Sequence, residues 1–257
     1  MSQTQLVISN DSKPNCYQNT FKIKVIDSNS IILDYSTLPG NLPKTNANML
    51  VLWQNLTMIS SSDKKAPKQH MISQDSQSNT IIFSDLTIQY KPYVLGYCMG
   101  SDPKNICGTA AIPVSSLPTS EHPFGVNLNE IQYHWTSIQI QVENDVLSVT
   151  YITPPGNCPK TNGHWIGFWK GPASPYEVVE VTRIIVLPEF AQDYNQGAIT
   201  YPYSFGIGTQ YTIAYFTGGR TTSSGSKGND GKTFVPTPAD LKTAACFHTF
   251  TLEKIPS

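Results

Sequence analysis

The 257 residues carry 17 basic and 18 acidic side chains, a net charge of -1, so no bulk field draws the chain to nucleic acid or to an anionic membrane. Arg183 and Arg220 are its two arginines, which removes the usual bidentate readers of phosphate, and no apolar run approaches a membrane span. Charged residues make up 14 % of the chain, and Ser, Thr, Asn, Gly, Pro and aromatics fill the space, a composition that favours strands and turns over helices.

The length suits two domains, each with its own core. MSQTQLVISNDSK lacks a basic segment followed by a long apolar core, so a cytoplasmic protein is expected, with the sequons at Asn10 and Asn55 as chance matches. Five scattered cysteines then read as small buried hydrophobes or free thiols. Cys98 and Cys107 flank the turn SDPKNI and are the one pair that could face each other across a hairpin, although strand pairing alone rarely supplies disulfide geometry.

In chain order, QLVIS is a short strand candidate before a turn-rich segment. Phe21, Ile23 and Val25 then alternate with Lys22 and Lys24, and after DSNS come Ile31, Leu33 and Tyr35, the period-two pattern of a β-hairpin. Residues 35–54, YSTLPGNLPKTNANMLVLWQ, return at 151–170 as YITPPGNCPKTNGHWIGFWK, with seven of eight positions in PGN-x-PKTN identical. The hairpin before this loop also recurs, through Ile138, Ile140 and Val142 and then Leu147, Val149 and Tyr151. The runs after the loop, MLVLW and WIGFW, are apolar on both faces and predict buried central strands.

Beyond it the copies diverge into a polar loop with Lys64, Lys65 and Lys68 in one and KGPASPY with YEVVEVTRIIV in the other. They realign where Tyr93, Leu95 and Tyr97 fall on Tyr211, Ile213 and Tyr215, followed by GTAAIPV and GKTFVPT as last strands. The second copy has a longer glycine- and serine-rich loop before its last strand. Each half thus predicts about seven short strands and no helical period, so the fold class is all-β, two tandem immunoglobulin-like antiparallel β-sandwiches related by internal duplication. The expected domains are 1–117 and 131–257, joined by a Pro- and Gly-rich linker at 118–130. An extra C-terminal strand, CFHTFTL, is expected to pair within the second domain or with QLVIS.

HWIGFWKG, followed by YTIAYFTG and GKTFVPT, resembles SKICH domains and the N-terminal sandwich of purple acid phosphatases. The first copy keeps the hairpin, YVLGYCMG, but lacks the Trp-Ile-Gly strand. The resemblance implies a recognition or localisation module. It supports a sandwich more than an activity.

Signals for chemistry are sparse. SKGNDGKT at 226–233 lacks the first glycine and the following helix of a phosphate-binding loop. Cys246 with His248, and Cys158 with His164, offer two metal ligands each where zinc needs three or four, so neither metal nor cofactor is expected. No G-x-S-x-G elbow occurs, and Asp34, Asp85, Glu177, Glu180, Glu189 and Asp193 show no duplicated arrangement, which points away from an enzyme.

Pro39, Gly40, Asn41 and Pro43, with their second-copy equivalents, suit a special turn geometry. Lys44, Thr45 and Asn46, matching Lys160, Thr161 and Asn162, offer ammonium, hydroxyl and amide groups and are candidate ligand- or partner-binding residues. Trp53 and Trp169 should be core, whereas Trp135, Trp165 and Tyr176, with Tyr201 and Tyr203, are candidates for surface aromatic contacts. The leading expectation is a non-enzymatic binding or self-assembling protein acting through loops and sheet edges on a protein partner or itself. The alternatives are a carbohydrate-binding or toxin-like host-targeting protein and, last, a hydrolase with a triad assembled only in space.

Overall fold

The computed structural model describes residues 6–8, 15–54, 59, 68–124, 127–143, 145–171, 174–178, 184–220, 233–234 and 236–254. In chain order the strands are β1 (Leu6–Ile8), β2 (Asn15–Gln18), β3 (Thr20–Ile26), β4 (Ile31–Ser36), β5 (Met49–Gln54), β6 (Lys68–Met71), β7 (Ser78–Phe83), β8 (Tyr93–Cys98) and β9 (Ile106–Ile112). They continue as β10 (Gln132–Trp135), β11 (Ser137–Glu143), β12 (Val146–Ile152), β13 (Trp165–Lys170), β14 (Ile184–Val186), β15 (Gln196–Pro202), β16 (Gln210–Phe216), β17 (Thr233–Phe234) and β18 (Ala244–Lys254). Among the described residues the one α-helix is the single turn Pro238–Leu241, closed by a capping box between Thr237 and Asp240.

The chain forms two compact units, Asn19–Thr136 with Thr153–Cys158, and Met1–Gln18 with Ser137–Ile152 and Pro159–Ser257. We call them the first-copy and second-copy units. The first contains an antiparallel sheet β3-β4-β7 and a second sheet β10-β9-β8-β5-β6. The other contains β11-β12-β15 and the sheet β1-β18-β16-β13-β14-β17, with β2 also paired to β18. The fold is all-β, two antiparallel β-sandwiches built on one repeated strand order, since β9-β8-β5-β6 and β18-β16-β13-β14 correspond strand for strand.

That correspondence corrects one alignment. GKTFVPT is not the counterpart of GTAAIPV: only Thr233 and Phe234 are described there as a strand, and they pair with Ile185 and Ile184 of β14 at the far edge of the sheet. The equivalent of β9 is β18, which matches β16 over seven residue pairs and buries Phe247, Phe250 and Leu252. The eleven-residue β18 satisfies the backbone of β16 along its whole length. CFHTFTL therefore completes the sandwich, and its outer edge is covered by β2 and by Leu6–Ile8 of QLVIS. The edge of β9 is covered in the same way by β10, whose four residues pair with Gly108–Ala111. The segment 118–130 belongs to the first-copy unit, where the Ser116 hydroxyl donates to Asn127 O at 2.6 Å across its base.

The expected hairpins form: β3 pairs β4, and β11 pairs β12 without a register shift. In β3 a bulge between Ile23 and Val25 turns the chain by one residue, so Ile26 rather than Val25 is buried with Phe21 and Ile23. β5 and β13 are central, flanked by β6 and β8 and by β14 and β16. Five of six residues in each are buried, including Trp53 and Trp169, as the two-faced apolar runs predict. Each large apolar side chain so buried contributes about 1.5–3 kcal/mol. Cys98 and Cys107 are free thiols: a bulge after Tyr97 sets Cys98 opposite Ile106, and burial pushes both pKa values up.

Gly156 lies in the first-copy unit at φ 83°, where an added Cβ would fall 2.0 Å from the carbonyl oxygen of Ile59. Gly208, at φ 67°, has nothing within 4 Å of that position. Gly156→Ala should therefore destabilise the protein by about 2–4 kcal/mol, through left-handed strain plus backbone displacement. Gly208→Ala should lose only about 1 kcal/mol. Urea denaturation midpoints for the two variants check the difference.

Candidate functional site

The duplicated loop is two successive turns. Asn41 N donates to Leu38 O at 3.0 Å and Asn157 N to Pro154 O at 3.1 Å, with Gly40 at φ 82° and Gly156 at φ 83°. Proline followed by a left-handed glycine is the requirement of a type II turn. The chain then coils once, with Asn48 N to Pro43 O and His164 N to Pro159 O both at 2.8 Å, and exits through Ala47 at φ 56° or Gly163 at φ 69°. Identity at the Pro, Gly and Asn positions is thus tied to backbone geometry.

The polar trio divides three ways. Thr45 N and Oγ1 donate to the two carboxylate oxygens of Asp75 at 2.9 and 2.8 Å, and Thr161 N and Oγ1 donate to Asp193 at 2.8 and 2.6 Å. Asn46 is buried and donates from Nδ2 to Asn41 Oδ1 at 2.8 Å; Asn162 is half-buried. Lys44 and Lys160 stay exposed. Lys44 faces Asp75 through its charge, and Lys160 Nζ donates to Ala191 O at 3.1 Å. The absence of a duplicated carboxylate is therefore corrected: Asp75 and Asp193 are equivalent. Gln74-Asp75 and Gln192-Asp193, each three residues ahead of an edge strand, are the signal in the sequence.

Behind each loop sits a second repeated contact. Asn48 Nδ2 donates to the Tyr97 hydroxyl at 3.3 Å, and His164 Nδ1 is hydrogen-bonded to the Tyr215 hydroxyl at 2.8 Å. Tyr97 packs on Tyr35 at 6.2 Å and Tyr215 on Tyr151 at 6.0 Å between ring centroids. Burial raises the Tyr215 hydroxyl well above its ordinary pKa, so it remains a neutral partner for the imidazole.

The candidate aromatics separate. Trp165 is not at the surface: it is 4 % exposed and stacks on Phe216 at 3.9 Å. In a strand buried on both faces, alternation leaves no outward position. Tyr176 is half-buried, its hydroxyl donating to Ala244 O at 3.5 Å. Trp135 is half-buried, nearly parallel to Tyr133 at 5.7 Å, and the two rings line an open groove of about 630 Å³ with Phe21, Lys22, Lys24 and Asn129. Small residues opposite them, Gly108 and Ala110, leave room for both rings. Tyr201 and Tyr203 are half-buried against Phe168.

No group of three or more His, Cys, Asp or Glu able to hold a metal occurs among the described residues. Most of SKGNDGKT, with Lys64, Lys65, Glu180, Arg183, Asn10 and Asn55, lies outside the described residues. No helix among the described residues is long and apolar enough to cross a membrane.

Fold and loops together define a duplicated antiparallel β-sandwich protein. No family model matches the chain, and no curated protein matches it. Among solved structures it is similar to the two calcium-bound C2 domains of extended-synaptotagmin 2, at 9 % identity over 100 % of this chain and 99 % of that one, with a TM-score of 0.17. A likeness at that score carries no argument about function.

The Thr45 amide and hydroxyl hold Asp75 below the ordinary carboxylate value of 3.8, and the Thr161 hydroxyl and amide do the same for Asp193. A depressed folded pKa contributes stability that is present above 3.8 and lost as pH falls through the folded value. The urea midpoint should therefore fall on acidification below about pH 4. The double variant Asp75→Asn, Asp193→Asn should show a shallower fall in the same titration, because its amides do not change charge.

Proposed function

We propose that the chain is a non-enzymatic binding and self-associating protein that presents two equivalent loop tips. The observation that carries this reading is the repeated Thr-Asp clamp, which fixes Lys44 and Lys160 at matching positions with both side chains exposed. Two similar sites on one chain give bivalency, which raises avidity without new contacts. The edge strands β7 and β15 add unpaired backbone groups, and β7 presents Ile82 at 57 % exposure, the kind of edge that accepts another strand. The resemblance to SKICH domains agrees with a recognition module. Light scattering coupled to size-exclusion chromatography should give a mass that rises above 28.3 kDa with concentration for the native chain, and a constant monomer for Lys44→Ala, Lys160→Ala. A native chain that stays monomeric throughout removes self-association.

Carbohydrate binding is the second reading, favoured by the groove at Trp135. Its two near-parallel rings, 17° apart, flank Lys22, Lys24 and Asn129, a combination of flat apolar faces and donors that suits sugar rings. On a glycan array the native chain should then be retained on particular sugars, and Trp135→Ala should lose about tenfold in affinity, as expected when truncation of an anchoring aromatic costs more than about 1 kcal/mol.

A further inference from the structure

The second-copy unit contains a recess of about 240 Å³ beside its duplicated loop. Lys160, Arg220 and Glu189 are its charged residues; His164, Trp165, Leu187 and Phe190 are its buried ones. Val186, Leu187 and Pro188 add an apolar wall. The lining therefore combines two cations and one carboxylate with a partly apolar wall, around a space large enough for a small ring.

The Arg220–Glu189 pair is the weak element of this arrangement. It is a contact of 3.5 Å, with the glutamate side chain 88 % exposed and the arginine 33 % exposed. An ion pair of that length and exposure contributes little, whereas a guanidinium and an ammonium meeting a carboxylate in a partly desolvated recess gain charge-assisted hydrogen bonds. Glu189 is thus an exchangeable partner of Arg220. Lys160 is held at the rim by its bond to Ala191 O, so the second cation is already ordered.

The first copy cannot build the same site. In the alignment that matches Tyr97 with Tyr215, Arg220 falls on Asp102, an inversion of charge. Counting back from the clamp aspartates, Glu189 falls on Met71 and Phe190 on Ile72. The recess chemistry belongs to one copy, although the loop scaffold belongs to both.

We propose that this recess binds a small organic carboxylate, its anionic group between Lys160 and Arg220 and its aromatic or branched apolar body against Leu187 and Phe190. The inference is independent of self-association through the loop tips, and its key variant leaves both lysines in place.

Isothermal titration of the full chain with phenylacetate, benzoate and 4-methyl-2-oxopentanoate, against the neutral isostere 2-phenylethanol, tests it. At least one carboxylate should bind with a stoichiometry of one per chain, and 2-phenylethanol should bind at least about tenfold more weakly than phenylacetate. Arg220→Gln should weaken carboxylate binding by about tenfold or more, and Glu189→Gln, which removes the competing anion, should tighten it several-fold. Glu189 is exposed and Arg220 half-buried, and the chromatographic mass of each variant should equal that of the native chain at the same concentration. Absence of heat with all three carboxylates, equal affinity for 2-phenylethanol, two sites per chain, or unchanged affinity in both variants would overturn the proposal.

Discussion

Two hydrogen bonds from one threonine to one aspartate govern how the chain passes between sheets in each copy. A sandwich of this strand order needs two crossings at the same end, β4 to β5 and β6 to β7 in the first copy, β12 to β13 and β14 to β15 in the second. Thr45 and Thr161 lie on the outward crossings, and Asp75 and Asp193 on the returning ones. The clamp joins crossings about thirty residues apart in sequence, with Thr37 N to Gln77 O at 2.7 Å reinforcing the first. Each bond to an exposed carboxylate is modest alone. Their effect is on register: a slip of one residue in β5 or β13 would interchange the two faces of a strand that packs on both.

Within that fixed backbone the copies have exchanged side chains in sets. Where the first has Asn48 bonded to Tyr97 and a buried Ile72 three residues before the clamp aspartate, the second has His164 bonded to Tyr215 and Phe190 packed on Tyr151 at 4.7 Å. Imidazole replaces amide as the partner of the same hydroxyl, so the buried phenol stays satisfied in both. The larger Phe190 fills space that a smaller residue leaves to other neighbours. Duplication thus preserved the polar contacts that position the strands and released the surfaces around them, which is how one scaffold came to carry Asp102 in one copy and Arg220 in the other.

Much of this architecture is legible in the sequence because its signals are local. Period-two hairpins, two-faced apolar strands and the Pro-Gly turns each report on a few neighbouring residues. The features that sequence misplaces depend on distant partners. β18 reads as an extra strand because its role is defined only by pairing with β16, and the place of β10 on β9 is equally silent in the residues that form it. Thr45 and Thr161 read as free binding groups because their acceptors lie 30 and 32 residues away. Trp165 reads as a surface ring because alternation has no meaning in a strand without an outer face.

The Trp-Ile-Gly strand illustrates how a sequence signature can report packing. A Cβ on Gly167 would meet the Trp165 ring at 2.8 Å and Ile184 at 2.5 Å, and a Cβ on Gly108 would meet the Trp135 ring at 2.4 Å. Gly96 similarly lies under Trp53, at 3.0 Å. In all three places an indole lies across a strand glycine, whose loss of about 0.5–1 kcal/mol in backbone entropy is offset by the area the ring buries. The glycine in the motif is therefore required by the tryptophan beside it, and a fold can share the pair without sharing a ligand. On the two binding readings proposed above, specificity comes from side chains at the margins of that packing, the charged groups around the recess in the second copy and the half-buried Trp135 ring in the first.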